Sequence, residues 1–222
     1  MFPIIFVVRK LRPALLLCLL TLVPAASVFA QAAPPPPLPE KGADYTNRWD
    51  FFGGASYAHF NGIGNVAATN LEGFNLQATA WVKPVFGFAG TVRGNYGTYP
   101  IGTNVYGASS PFISQHIFMV GPEFRLWKTP RHALNFHVMG GGVYGKFSSG
   151  LNGAPPNALG LYVDQLAFAA AVGGSFDFNL SPRLSARVMS DFAPTRFGSG
   201  TQEEFAGAVG IVYKMGSLKG GK

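Results

Sequence analysis

The sequence predicts an all-β fold, an eight-stranded antiparallel up-and-down transmembrane β-barrel, and three observations carry that prediction. From Trp49 onward glycines recur every few residues and apolar residues follow a period of two, so no long helix fits. The alternation appears in eight segments, each with one face almost free of charge. The connections between the segments alternate between long and short. A soluble sandwich or lipocalin-like barrel also alternates its faces, but it has no reason to alternate its connection lengths. A membrane barrel does: apolar side chains meet lipid, small and polar ones fill the lumen, and long loops at one end oppose tight turns at the other.

The first segment is WDFFGGASYAHF (49–60). In the second, GFNLQATAWV (73–82), Phe74, Leu76, Ala78, Ala80 and Val82 oppose Asn75, Gln77, Thr79 and Trp81. The third (86–99) sets Phe86, Phe88, Val92 and Tyr96 against Thr91, Arg93 and Asn95. In the fourth (115–127) Phe118, Val120, Phe124 and Leu126 oppose Gln115, Glu123 and Arg125. The fifth, ALNFHVMGGGVYGK (133–146), places His137 on the inner face. The sixth (165–179) turns Phe168, Val172, Phe176 and Phe178 away from Ser175 and Asp177. The seventh is LSARVMSDF (184–192), and the eighth (203–214) sets Phe205, Val209, Ile211 and Tyr213 against Glu204, Ala206, Ala208 and Lys214. Several segments reach ten or more residues, the length a tilted membrane strand needs.

The charges follow one rule. Arg93, Glu123, Arg125, Asp177, Arg187, Asp191 and Glu204 all fall on the face that is not aromatic, among Gly and Ala residues that leave them room. Arg187 and Asp191 are an even number of residues apart and therefore share that face.

Connections after the first, third, fifth and seventh segments are long and polar, whereas KPV, KTPRH and LSPR follow the second, fourth and sixth. Both ends of the barrel chain therefore belong on the turn side. Trp49, Tyr57, Phe60, Tyr96, Tyr99, Trp127, Tyr144, Phe192 and Tyr213 mark segment ends and are expected to form two interfacial girdles, although Trp127 carries lumen parity.

Upstream, MFPIIFVVRKLRPALLLCLLTLVPAASVFA has a basic start, an apolar run of about ten residues and small residues at Val28 and Ala30. It predicts an export signal cut before Gln31 rather than a membrane span, which needs roughly twenty residues. Without Arg9, Lys10 and Arg12 the formal charge of +7 drops by three. The basic residues that remain form no cluster, so no nucleic-acid partner is expected. Cys18, the only cysteine, lies inside the signal, which excludes disulfides and thiol chemistry from the exported protein. Residues 31–48, with prolines at 34–37, are expected to form an extended periplasmic leader.

VGPEFRL (120–126) and AFAAAVGGSFDFNLSPRLSARVMSDFAPTRFG (167–198) carry a resemblance: over residues 49–215 the chain resembles the outer-membrane β-barrel domain family, the eight-stranded OmpA/OmpX-type barrels of Gram-negative bacteria. The resemblance implies a monomer in the outer membrane, inserted by the barrel-assembly machinery and surrounded by lipid and lipopolysaccharide. Members often end on an aromatic residue, whereas this chain continues past Tyr213 with KMGSLKGGK, placing 216–222 in a short periplasmic tail. No peptidoglycan-binding domain is expected.

An eight-stranded lumen is only just wide enough for side chains. Its seven charges are nearly balanced in sign, as a closed ion-pair network requires, and a structural or surface-interaction role follows. Two alternatives remain: a gate whose pairs exchange to admit small ions, and a lipid A-modifying enzyme. The latter would draw on Ser114 and His116, or Ser56 and His59, with a carboxylate such as Glu72 or Asp164. No carboxylate shares the face of Ser114 and His116, so no catalytic residues are assigned. No cofactor is expected, and no metal site, because His137 lacks a second ligand at useful spacing. The loops read as mobile surface segments whose Val105, Tyr106, Phe112 and Leu161 would meet lipopolysaccharide or an extracellular partner.

Overall fold

The alternation builds eight long strands in the computed structural model, which describes residues 42–61 and 68–218. They are β1 (Trp49–Asn61), β2 (Thr69–Lys83), β3 (Phe86–Thr98), β4 (Phe112–Lys128), β5 (His132–Ser149), β6 (Gln165–Asn179), β7 (Leu184–Phe192) and β8 (Glu203–Met215). Each pairs antiparallel with the next, and β8 pairs with β1 (Trp49↔Met215 to Asn61↔Glu203), which closes the barrel. Closure gives each of the eight strands a partner on both sides, the arrangement lipid demands of a spanning sheet. The two-residue strand Thr195–Arg196 carries the line of β7 onward against β6.

Three strands run further into the loops than hydrophobic alternation marks. β2 begins at Thr69, paired with Phe60; β4 begins at Phe112, paired with Thr98; and β5 continues to Ser149. These extensions lie beyond the apolar band, where pairing persists and an apolar outer face is no longer required.

The outer wall carries Leu76, Phe88, Phe118, Val120, Leu126, Phe168, Val188 and Val209, all exposed. A continuous apolar surface of this extent belongs against lipid. Aromatic clusters flank it. On the turn side Trp49 stacks on Phe51 at 6.0 Å, and Trp127 stacks on His132 at 6.3 Å and on Phe176 at 6.4 Å. On the loop side Tyr96 meets Phe112 and His116, and Phe192 meets Phe205. Trp127 is a true girdle member: a bulge between Arg125 and Trp127 inserts one residue opposite Asn135 and Leu134 and flips its parity outward. Phe60 and Tyr99 are not girdle members. Both are buried in the core beneath the loops, Phe60 because its even number puts it on the lumen face of β1.

The second, third and fourth loops pack rather than drift. Tyr99, Leu151, Leu161 and Phe197 join Phe147 and the lumen residues Ile113, Ile117 and Val143 in one core. Phe147 meets Phe197 edge to face at 5.2 Å and Tyr162 at 5.5 Å, and Gln202 ties the fourth loop by accepting from the Phe197 amide at 2.6 Å and donating to the Phe197 carbonyl at 2.9 Å. Leu161 is therefore interior, whereas Val105 is 93% and Tyr106 41% exposed at the tip of the second loop.

Residues 42–48, expected to be part of an extended leader, pack across the turn-side mouth: Ala43 and Tyr45 form a small core with Ala133. The signal segment 1–30, its cut before Gln31, the proline run 34–37 and the tail residues 219–222 lie outside the described residues.

Candidate functional site

Lumen chemistry divides by height, and the turn-side half is ionic. Arg187 is completely enclosed. Its Nε donates to Asp177 Oδ1 at 2.6 Å and its Nη2 to Asp177 Oδ2 at 2.9 Å, a two-point pairing across adjacent strands in direct register. The same guanidinium stands 3.8 Å from Glu123 Oε1 and 3.9 Å from Asp50 Oδ2. Glu123 also accepts from the Thr79 hydroxyl at 2.6 Å and the Gln77 amide at 3.0 Å. These neutral donors matter because a buried carboxylate needs its lone pairs filled as well as its charge balanced.

Arg125 completes the lower layer. It pairs with Asp50 at 3.2 Å and donates to the Pro84 carbonyl at 3.0 Å, and its plane lies 3.8 Å above the Trp81 ring and 4.5 Å from that of Tyr45. A flat, weakly hydrated guanidinium suits such a slot better than an ammonium would. Asp50 in turn accepts from Trp81 Nε1 at 2.8 Å and Asn47 Nδ2 at 2.5 Å.

A second group sits nearer the loops. Arg93 pairs with Asp191, whose other oxygen meets His137 Nε2 at 2.9 Å, and Glu204 accepts from Asn95 Nδ2 at 3.2 Å. Gly173 makes the space for Asp191, since a Cβ there would collide with Asp191 Oδ1 and the Ser190 carbonyl. Above this group apolar side chains predominate, with Gln115 buried between Ile113 and Ile117, and merge with the core under the loops.

All seven charges read from the sequence are thus buried in the lumen, but in two groups rather than one. Four of them (Glu123, Arg125, Asp177 and Arg187) lie in the lower layer and three (Arg93, Asp191 and Glu204) in the upper. Asp50 and Lys214 belong with the lower group and were missed. Asp50 stands between the outward Trp49 and Phe51, so parity alone could have found it; Lys214 was placed on the inner face without being counted among the charges. Tyr45 had no periodic signal, because it precedes the first strand.

The residues weighed for catalysis do not assemble. His116 meets the Tyr96 hydroxyl at 3.2 Å, and His59 meets Asn70 at 2.7 Å. Glu72 lies in β2, opposite Tyr96, which stands between it and Ser114 in the register. Asp164 accepts from the Phe147 and Ser148 amides at 2.7 and 2.9 Å and from the Ser148 hydroxyl at 2.5 Å. Burial opposes its ionisation, but those hydrogen bonds and the nearby Lys146 outweigh it and hold the carboxyl below its ordinary range. Among the described residues no three His, Cys, Asp or Glu side chains gather in a group that could hold a metal ion.

A closed antiparallel barrel with an apolar wall, aromatic borders and a filled polar lumen defines the class of small eight-stranded transmembrane barrels. Solved structures agree. The chain is similar to Ail, the attachment invasion locus protein of Yersinia pestis, at 16% identity and a TM-score of 0.50, covering 76% of this chain and 99% of that one. It is similar to Neisserial surface protein A at 9% identity and a TM-score of 0.55, covering 75% and 97%. It is also similar to the outer membrane protein OprG from Pseudomonas aeruginosa at 12% identity and a TM-score of 0.52, covering 80% and 99%. At such identities the likeness is one of fold. No protein-family model matches the chain, and neither does any curated protein.

Proposed function

We propose that the chain is exported across the inner membrane and inserted by the barrel-assembly machinery. It then stands as a monomer in the outer membrane among lipid and lipopolysaccharide, where it serves a structural or surface-interaction role, adhesion or recognition, without catalysis. The observation that carries this reading is the packed cap: the lumen is filled by side chains, so what the barrel offers outward is its folded loop surface. That surface bears the exposed Val105 and Tyr106 at one tip and a cleft of about 470 Å³ between residues 99–104 and 157–160. Asn104 shapes the tip, accepting from the Tyr106 and Ala108 amides, and Asn152 donates to the Tyr106 carbonyl, linking the second loop to the third. The similarity to a barrel described as an attachment protein is in keeping with this role.

The test begins with cell fractionation and gel mobility with and without boiling. Adherence of expressing cells to lipopolysaccharide-coated and epithelial surfaces is then measured for the parent and for Val105→Ser/Tyr106→Ser. Outer-membrane location with adherence lost in the double variant supports the reading. A protein released by osmotic shock overturns the location, and adherence equal to that of cells lacking the barrel overturns the role. The small-ion alternative draws on the charged layers between Glu204 and Lys214, and discrete conductance steps altered by neutralising Arg93 or Glu123 would favour it.

A further inference from the structure

The turn-side mouth is crossed by residues 42–48, and the contacts of Tyr45 exceed what a passing leader needs. Its ring is almost wholly buried and has three cations against it: Arg125 at 4.5 Å, Lys214 at 4.9 Å and Lys128 at 5.7 Å from the ring centre. Its hydroxyl lies 2.8 Å from both the Thr129 and the His132 carbonyls and accepts from Asn179 Nδ2 at 2.6 Å. One turn and the ends of β4, β5, β6 and β8 therefore converge on a single side chain.

The backbone adds a second, independent observation. Tyr45 has φ 56°, in the left-handed region that a bulky residue avoids unless its surroundings impose it. The flanking chain is pinned on both sides: the Ala43 amide donates to the Pro130 carbonyl, and the Leu218 amide donates to the Thr46 carbonyl.

We propose that residues 42–48 are a latch that seals the turn-side mouth of the lumen, with Tyr45 as its bolt. The ring covers Arg125 and Lys214, the lowest cations of the ionic layer, and keeps them from solvent. Because largely apolar packing under the loops caps the lumen above the Arg93–Asp191 group, the latch makes the charged interior a chamber closed at both ends. Lifting it would admit water and small ions as far as the Arg187 layer. The bolt is held by cation–ring contacts and hydrogen bonds outside the β-ladder, so it can release without disturbing the wall.

Thiol accessibility tests this. Ser185 is fully buried, faces the lumen below Arg187 and donates to Asn179. In a Cys18→Ser chain, the Ser185→Cys thiol of the folded full-length protein is reacted with a water-soluble methanethiosulfonate, and unboiled gel mobility reports the closed barrel. The thiol should react slowly with Tyr45 present. Tyr45→Ala should raise the rate about tenfold or more, since labelling of a buried group follows the fraction of time it is open. Tyr45→Phe keeps the ring and deletes its hydrogen bonds, and should raise the rate by less. No increase in Tyr45→Ala overturns the latch; where that variant fails to close as a barrel, no increase in Tyr45→Phe does so.

Discussion

Arg187→Met removes the cation that stands within 4 Å of three buried carboxylates. Methionine fills much of the same volume, so the change reports charge more than cavity. In the parent, Arg187 makes two short bonds to Asp177 and stands within 4 Å of Glu123 and Asp50, all four side chains being enclosed. Removing one partner of a buried pair costs about 3–5 kcal/mol because the other is left uncompensated. Here Asp50 keeps Arg125 and Glu123 keeps two neutral donors, so the loss is concentrated on Asp177, which retains the Asn135 amide at 3.4 Å and the more distant charges of Lys214 and Arg125. We therefore expect about 3 kcal/mol, the lower end of that range. Adding Asp177→Leu should recover part of it, because the uncompensated carboxylate is exchanged for apolar contacts. The assay is reversible urea unfolding in phospholipid vesicles followed by tryptophan fluorescence, with Trp81 in the lower layer as the internal reporter. Arg196→Met, at an exposed position, is the control and should stay within about 0.5 kcal/mol of the parent. If Arg187→Met unfolds at the same urea concentration as the control, the ionic layer contributes nothing to closure and the reasoning fails.

Other parts of the fold give their own tests. Phe197→Ala should open a cavity worth about 3–5 kcal/mol in the cap, and limited proteolysis should then cut the third and fourth loops while the strands stay protected. Gly173→Ala should cost about 1–3 kcal/mol by overpacking against Asp191 and the Ser190 carbonyl, read in the same urea assay; no loss would mean that the wall gives way there. Asp164 has its pKa lowered on folding, so its contribution to loop order is present above the ordinary carboxylate range and is lost as pH falls through the folded value. Protection of the Phe147 and Ser148 amides, taken relative to the intrinsic exchange rate at each pH, should fall on acidification below the ordinary carboxylate range in the parent, and Asp164→Asn should be less protected at neutral pH with less pH dependence.

The barrel wall was legible because its signal is local: a period of two on an apolar face, with turns as short as KPV, leaves one closed arrangement. The seven charges were legible for the same reason, since parity alone separates lipid from lumen. Parity fails where the backbone breaks step. Trp127 belongs to the girdle as expected, but its parity points to the lumen because nothing in RLWKT announces an extra residue opposite Leu134. Phe60, Tyr99 and Leu161 were misread for another reason: whether an aromatic or aliphatic residue at a strand end meets lipid or a folded loop depends on how distant loops pack, and no spacing records it. Tyr45 lies beyond both rules, since its partners Arg125, Asn179 and Lys214 are brought together only by closure.

The division of the lumen bears on what the loops can do. Had the charges continued up to the loops, those loops would have had only a wet, charged rim on which to rest, with no apolar surface to offset the entropy of ordering them. An apolar upper lumen instead presents Ile113, Ile117 and Val143 to Tyr99, Leu151, Leu161 and Phe197, so burying loop side chains offsets the entropy of ordering the loop backbone. A partner of the kind proposed would then meet a surface ordered before contact, so that ordering it would cost no affinity. The ionic half makes this arrangement affordable. By gathering balanced charge beneath the apolar layer, with Arg187 at its centre, it holds the strands in register without lending the cap any of its polarity.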